Sequence, residues 1–301
     1  MKINFINEKK ATYSINMLCD VLGYSRDFYY KHNTRGVSAR ELEDVVLQDR
    51  IHAIWLGSRK TYGVPRVYAV LQAEGVKISA KRVSRLYKQA GCVSKHTKKH
   101  KYADLEPQNP AVPNVLERKF TVSAPNTVWA TDVTYFQVGN KWAYLVVFID
   151  LYNRKVVGWH VSKNVDTKLC VIGLQKAVAL HNPPAGLLIH SDQGSTYTAN
   201  DFKDSLSGAQ MKQSMSRRGN CWDNAVAESF FKTIKTELDR KYWRTTEDLH
   251  LDVFSYIEGF YNNHRIHSTL GYLSPNNYGQ VENTCVKGGT IEQYEKDTVS
   301  V

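Results

Sequence analysis

Cysteine is scarce and scattered. There are five in 301 residues (Cys19, Cys92, Cys170, Cys221, Cys285), an odd number with no Cys-x-x-Cys pair. A disulfide framework is therefore excluded and a reducing compartment expected. Glycine (18) and proline (8) are too few for a collagen-like or low-complexity chain. No apolar run approaches the roughly 18–20 residues of a membrane helix; the longest, Trp142 to Ile149, has the length of a strand. The N-terminus passes from Met1-Lys2-Ile3-Asn4 into Glu8-Lys9-Lys10 without a signal-peptide core. The expectation is a soluble cytoplasmic chain with no membrane partner. Cys92, His96 and His100 stand four apart, but a structural zinc site takes four ligands and no fourth is near, so solvated histidines are the plainer reading.

Apolar residues make up 42% of the chain, enough for real cores, and the length suits two domains or one domain with an appendage. The formal charge is +11, and all of it lies in the first 120 residues, which hold 22 basic and 11 acidic side chains. The densest stretch, 81–101, has eight basic residues and no acidic one. Such asymmetry points to an N-terminal unit that meets a polyanion, followed by a unit of different purpose.

Ile15, Leu18 and Leu22 share a helix face that Gly23 ends, and Ser25 caps a short second helix with Phe28 and Tyr29. This outlines a partial helix-turn-helix in a segment 1–37. Over 38–101 the pattern predicts a basic helix-turn-helix region. Its first helix, about 38–56, carries Leu42, Val45, Val46, Ile51, Ile54 and Trp55 as apolar residues. A further helix follows Tyr62-Gly63-Val64-Pro65-Arg66. The last, near 80–90, is capped by Ser79 and packs through Val83, Leu86 and Tyr87. Lys81, Arg82, Arg85 and Lys88 lie on its other side, where they can meet DNA phosphates. Half of the prolines fall in 102–127, which reads as an extended linker.

From Val128 the periodicity becomes that of strands. Segments 128–138, 141–150 and 155–162 predict an antiparallel meander, with Gly139-Asn140 as the first turn. A helix over 166–181, a strand over 186–190, a helix over 200–207, a strand over 212–215 and helices over 222–240 and 246–263 follow. The fold class is α/β, a mixed five-stranded sheet with flanking helices over 128–281, preceded by the all-α region. Residues 282–301 form a polar tail, expected to be disordered.

Three carboxylates mark the chemistry. Asp132 lies inside the first strand, Asp192 just beyond the fourth in His190-Ser191-Asp192-Gln193-Gly194, and Glu228 inside the helix that begins near Trp222. Ligands of open α/β sheets gather at strand ends. A carboxylate among apolar residues is costly unless it is paired or binds a metal, and rigid hard-oxygen ligands suit Mg²⁺ or Mn²⁺. His190 neighbours Asp192 and is expected to take a core or supporting role and not a catalytic one.

Thirty-five residues separate Asp192 from Glu228. With the blocks Trp129 to Tyr135, His190 to Tyr197, Gly219 to Glu228 and Tyr261 to Tyr272, the chain resembles bacterial insertion-sequence transposases of the Asp-Asp-Glu type, whose catalytic domain is similar to retroviral integrase and ribonuclease H. It is most similar to second-reading-frame products, with Tyr62 to Arg66 and Arg82 to Leu86 fitting that family's helix-turn-helix. The resemblance implies two Mg²⁺ or Mn²⁺ ions per site, Asp132 as the bridging ligand, and metal-dependent end cleavage and strand transfer. It implies DNA as partner (the element's terminal inverted repeats and target DNA), a homo-oligomer on DNA, association with the nucleoid when bound, and an upstream-frame protein. Lys232 and Lys235, one and two turns after Glu228, resemble lysines that contact terminal nucleotides. Arg217 and Arg218 are expected to hold phosphate and Asn224 to support the site. Trp222 is expected to stack on a flipped base or to take a core or hinge role, and Arg265 and His267 to fold the C-terminal segment back, with a phosphate contact. The competing readings are a nuclease that only hydrolyses and a non-catalytic DNA-binding regulator or domesticated remnant.

Overall fold

The computed structural model describes residues 2–34, 36–95, 112–217, 221–238 and 242–280. His96, His100, Arg218 and the polar tail lie outside the described residues.

Three short helices open the chain: α1 (Lys2–Lys9), α2 (Ile15–Leu22) and α3 (Arg26–Thr34). Ser14 caps α2 by accepting from Met17 N, and Gly23 closes it at φ 66°, a conformation natural to glycine. Ile6, Leu18, Cys19 and Tyr29 form a small core of their own. Helix α1 had no clear signal in the sequence, because its apolar residues are few.

Helices α4 (Ala39–Gly57), α5 (Val64–Ala73) and α6 (Ala80–Gln89) make the second helical unit. Ser38 and Glu41 form a reciprocal capping box at the start of α4, and Ser79 caps α6. Val83, Leu86 and Tyr87 of α6 are buried as the periodicity predicts. The expected apolar face of α4 needs correction. Leu47, Ile51 and Ile54 are buried, whereas Leu42, Val45 and Val46 are exposed. One turn before Leu47 the inward stripe continues as Asp44, and Glu43 and Asp44 meet Arg82 (2.8 Å to each) and Arg85 (2.6 Å to Asp44) of α6. Asp44 is thus largely covered at this end of α4, with Glu43 exposed beside it, and the neighbouring apolar residues face outward.

The α/β unit is built on one sheet in the order β3-β2-β1-β4-β5. Strands β1 (Val128–Val138), β2 (Lys141–Asp150) and β3 (Val156–Ser162) form the antiparallel meander, and β4 (Leu188–Ser191) and β5 (Lys212–Met215) extend it in parallel. A two-residue turn with Gly139 at φ 56° joins β1 to β2. Six consecutive buried residues, Leu145 to Asp150, show that β2 is covered on both faces. On one face α7 (Thr167–His181), capped by Asp166, presses Leu169, Leu174 and Ala177 onto Val146 and Phe148. The approach is close: a Cβ on Gly158 would stand 2.5 Å from that of Ala177. Helices α8 (Ser195–Thr198) and α9 (Asn200–Gly208) join this layer.

On the other face α10 (Ala225–Glu237) buries Phe230, Phe231 and Ile234, and α11 (Thr246–Tyr256) buries Leu249 and Val253. The single helix expected over 222–240 is instead a 3₁₀ turn, Cys221–Asn224, followed by α10. The helix expected over 246–263 passes into a π turn, Ile257–Tyr261. Residues of α4 to α6 share one apolar core with this face. Tyr62 Oη donates to His264 O (2.8 Å) and accepts from Ile266 N (2.9 Å), and Arg66 Nε donates to Ile266 O (3.1 Å). Tyr62 to Arg66 is therefore the dock between the helical unit and the C-terminal segment. The expected linker is likewise no free strap over its described part: Leu116, Phe120 and Val122 pack against Val128, Ala130 and Leu151. No helix among the described residues is long and apolar enough to cross a membrane.

Candidate active site

The sheet register brings the two aspartates together. In the parallel pair, Val128, Trp129 and Ala130 of β1 stand opposite Leu188, Ile189 and His190 of β4. Two residues further along each chain come Asp132, still within β1, and Asp192, just past the end of β4, and the Asp192 charge acts on Asp132. Glu228 arrives from α10. Asn224, one turn before it, donates Nδ2 to Thr131 O (3.1 Å), which fixes the helix start against the residue preceding Asp132. Asn224 is buried and its Oδ1 has no hydrogen-bond donor.

Burial, reinforced by the charges of Asp192 and Glu228, pushes the Asp132 carboxyl up to about 7. Burial also raises Asp192 and Glu228 above the ordinary carboxylate range. Each acid is held by a local partner. Asp132 Oδ1 accepts from Val133 N (2.8 Å), Asp192 Oδ1 accepts from Gly194 N (3.0 Å), and Glu228 lies 3.8 Å from Lys232 Nζ. Among the described residues no three His, Cys, Asp or Glu side chains are grouped closely enough to hold an ion as they stand. The donor set itself, carboxylate oxygens on a strand, a strand end and a helix, has the hard character that Mg²⁺ or Mn²⁺ prefers.

The family models agree with this geometry. Residues 122–221 match the integrase core domain, residues 209–275 match a second integrase core domain model, and residues 41–100 match an HTH-like domain. The transposase for insertion sequence element IS904 of Lactococcus lactis is 35% identical over 246 residues, 81% of this chain and 97% of that protein. The transposase InsF for insertion sequence IS3A of Escherichia coli is 33% identical over 287 residues, 92% of this chain and 98% of that protein. This chain is an insertion-sequence transposase. Among solved structures it is similar to the HTLV-2 integrase catalytic core domain in complex with magnesium, with a TM-score of 0.41 and 16% identity, over 52% of this chain and 97% of that one.

Not every basic residue singled out in the transposase sequence faces outward. Arg82 and Arg85 are engaged by Glu43 and Asp44, and the Arg82 side chain is only 14% exposed. They join α6 to α4; Arg82 is largely covered there, while Arg85 stays exposed beside Asp44. Lys81 and Lys88 are exposed. Arg217 is likewise engaged: its N, Nε and Nη2 all donate to the Asp223 carboxylate (3.1, 2.9 and 2.9 Å). The sequence reading missed Asp223. It is fully buried and also accepts from Arg118 Nε (2.7 Å) and Asn114 Nδ2 (3.0 Å), so it ties the residues before β1, the loop after β5 and the start of α10 into one knot. Its signal, an acid five residues before Glu228 beside two arginines, was present but not distinctive. His190 turns into the core as expected, between Ser214 Oγ and Asp223 O (2.9 Å each).

Lys235 Nζ sits over the Tyr135 ring at 4.7 Å, and the Asp132 charge acts on it. Lys232 and Lys235 therefore stand along the rim of the acidic site. Trp222 is 61% exposed, so it fills no core. Arg265 is buried and gives Nε and Nη2 to Glu237 (2.8 and 2.7 Å), which also accepts from Tyr256 Oη (2.8 Å). It ties the C-terminal segment to the end of α10.

Proposed function

We propose that Asp132, Asp192 and Glu228 are the catalytic acids and together hold two divalent cations, Mg²⁺ or Mn²⁺, for cleavage at the ends of an insertion element and transfer of the cleaved strand. The observation that supports this reading is that the charges of Asp192 and Glu228 both act on buried Asp132, with Asn224, one turn before Glu228, bonded to Thr131 beside it. When bound, the cations supply charge neutralisation at the reacting phosphodiester and lower the pKa of an attacking water.

The chain's own residues do the rest. Asp132 feels both other acids and is the central ligand. Turning Asp192 and Glu228 away from Gly194 and Lys232 completes the set, and Lys232 is then available to the DNA. Lys232 and Lys235 orient the terminal phosphates along the α10 rim, and exposed Trp222 stacks on an unpaired base beside the cleavage point. Lys81 and Lys88 contact duplex backbone from α6. Water first displaces the 3′ oxygen at the element end. The freed hydroxyl then attacks a target phosphodiester, one P–O bond forming as another breaks, so no protein nucleophile is required. The partners are the element's inverted repeats, target DNA, further copies of this chain and an upstream-frame protein, all met on nucleoid DNA in the cytoplasm. Residues 38–101 serve as the DNA-binding unit and 128–281 as the catalytic unit.

Incubation with oligonucleotide duplexes of the element's own ends and Mg²⁺ tests this directly. Strand-transfer products are expected from the native chain. Asp132→Ala, Asp192→Ala and Glu228→Ala should each reduce them by at least about a thousandfold, on the scale of removing a group that acts only in the transition state. End binding without any product would favour a regulator, and cleavage without transfer would favour a nuclease.

A further inference from the structure

Behind α10, about a third of a turn from Glu228, lies a cavity of about 340 Å³ between the helical unit, the β2–β3 turn and the C-terminal segment. Its walls include Arg66 of α5, Arg154 of the turn, Ser229 and Thr233 of α10, and His267 and Thr269. At 100° per residue, Ser229 and Thr233 lie on the α10 face adjoining that of Glu228 and Lys232. The cavity and the acidic site are thus two sides of one helix.

The cationic character of this cavity is not balanced. Arg154 donates Nη2 to Phe120 O (3.2 Å), but its Nη1 is buried without an acceptor. His267 Nε2 is buried without a partner as well. Arg66 spends Nε on Ile266 O and stands 5.7 Å from the Tyr62 ring. Among the described residues neither Arg66 nor Arg154 forms an ion pair. The acids nearby have closer partners, Glu237 in Arg265 and Asp150 in the N–H groups of Asn126 and Tyr152, and reach Arg66 and Arg154 only through space. Burial together with the neighbouring guanidinium charges lowers Arg66 and holds His267 down to about 3, so the imidazole is neutral. Arg154 also sits in the left-handed backbone region at φ 62°, its N–H donating to Asp150 O (2.9 Å).

Two desolvated guanidinium groups with an orphaned N–H are costly unless an anion completes them. Arginine forks with hydroxyl side chains beside them match the oxygens of a phosphate. We propose that this cavity binds a backbone phosphate of the DNA strand engaged at the acidic site, one that is not itself cleaved. Arg154 and Arg66 are its charged ligands and Ser229, Thr233 and Thr269 its hydroxyl donors. The docking of the Tyr62 to Arg66 block on the Tyr261 to Tyr272 block then has a consequence for binding: it assembles a site to which both units contribute. The proposal rests on the transposase reading and adds a specific DNA contact to it.

The test is the salt dependence of binding to a duplex of the element end, for the native chain and Arg154→Gln. The variant should bind about tenfold or more weakly at 100 mM salt, and its log–log salt slope should be shallower by about one. An unchanged slope in a folded Arg154→Gln protein overturns the proposal. If that variant does not fold, Thr269→Glu on the exposed rim replaces it. Binding should then fall by about tenfold or more, with Thr269→Gln near the native value; a Glu variant that binds normally overturns the proposal. Inorganic phosphate against chloride at equal ionic strength separates the two phosphate sources. Protection by phosphate, lost in Arg154→Gln, together with an unchanged DNA slope means that the cavity takes a free phosphate and not DNA. Native strand transfer with an unaltered slope would defeat this inference alone and leave the catalytic reading intact.

Discussion

Asp132→Asn is expected to raise the melting temperature of the metal-free chain at pH 8 while abolishing strand transfer. Asp132 is largely buried, faces Asp192 and Glu228, and has its carboxyl pushed up to about 7 from 3.8. Between about pH 4 and pH 7 the native state keeps a proton that the unfolded chain has released. Stability therefore falls with rising pH across that window, and the deficit is complete above it. Three units correspond to roughly 4 kcal/mol as an upper bound, and an amide of the same shape removes the charge. A gain of about 2–4 kcal/mol follows, or on the order of 5–10 °C for a chain of this size. Below pH 4 both proteins carry an uncharged group here and the difference should vanish. Mg²⁺ should act oppositely, raising the melting temperature of the native chain and leaving that of Asp132→Asn unchanged. Thermal denaturation at pH 3.5 and pH 8, with and without Mg²⁺, checks all of this. An Asn variant that melts at or below the native temperature at pH 8 would show that burial and the neighbouring acids do not disfavour the Asp132 charge.

The second large effect is expected at Asp223. Burial alone would raise this carboxyl, but hydrogen bonds from Arg217 and Arg118 hold it far below the ordinary range. Its side chain is 0% exposed while the two arginines are 44% and 43% exposed. Asp223→Ala leaves those cations to the solvent but removes the knot that holds the loop after β5 to the start of α10. A loss of about 2–3 kcal/mol is expected, the scale of removing a buried acceptor of charged hydrogen bonds whose donors can reach the solvent. Because Asn224 and Glu228 follow directly, strand transfer should fall with it. The folded carboxyl is depressed, so its contribution is present above about pH 4 and is lost as pH falls through its native value. Asp223→Asn should therefore be less stable than the native chain at pH 7 and closer to it at pH 3. Denaturant titrations at both pH values measure the difference; a cost under about 1 kcal/mol at pH 7 would mean that Arg217 is held by something else.

The three acids were legible in the sequence because their spacing and flanking blocks are distinctive. So were the sheet strands, whose periodicity is strong from Val128 to Ser162. What brings the acids together was not legible. The pairing of Ala130 with His190 joins residues sixty positions apart, and no local pattern specifies it. The roles of basic residues were least legible of all. Arg82, Arg85 and Arg217 look in sequence like the exposed Lys81 and Lys88, yet each meets an acid brought close by folding. Helix α4 shows the same difficulty. Its apolar residues outnumber the places available in the core, and the presence of Asp44 on the inward stripe decides which are left outside. Arg154 gave no signal, since a basic residue in a turn is ordinary until its burial and its unmatched Nη1 are seen.

The most direct measurement of the central claim is the number of Mn²⁺ ions bound per chain, by electron paramagnetic resonance, in the presence of a duplex of the element end. Two ions per chain are expected for the native protein, and fewer for each of Asp132→Asn, Asp192→Asn and Glu228→Gln. Undiminished Mn²⁺ binding in any one of the three folded variants would contradict the shared site.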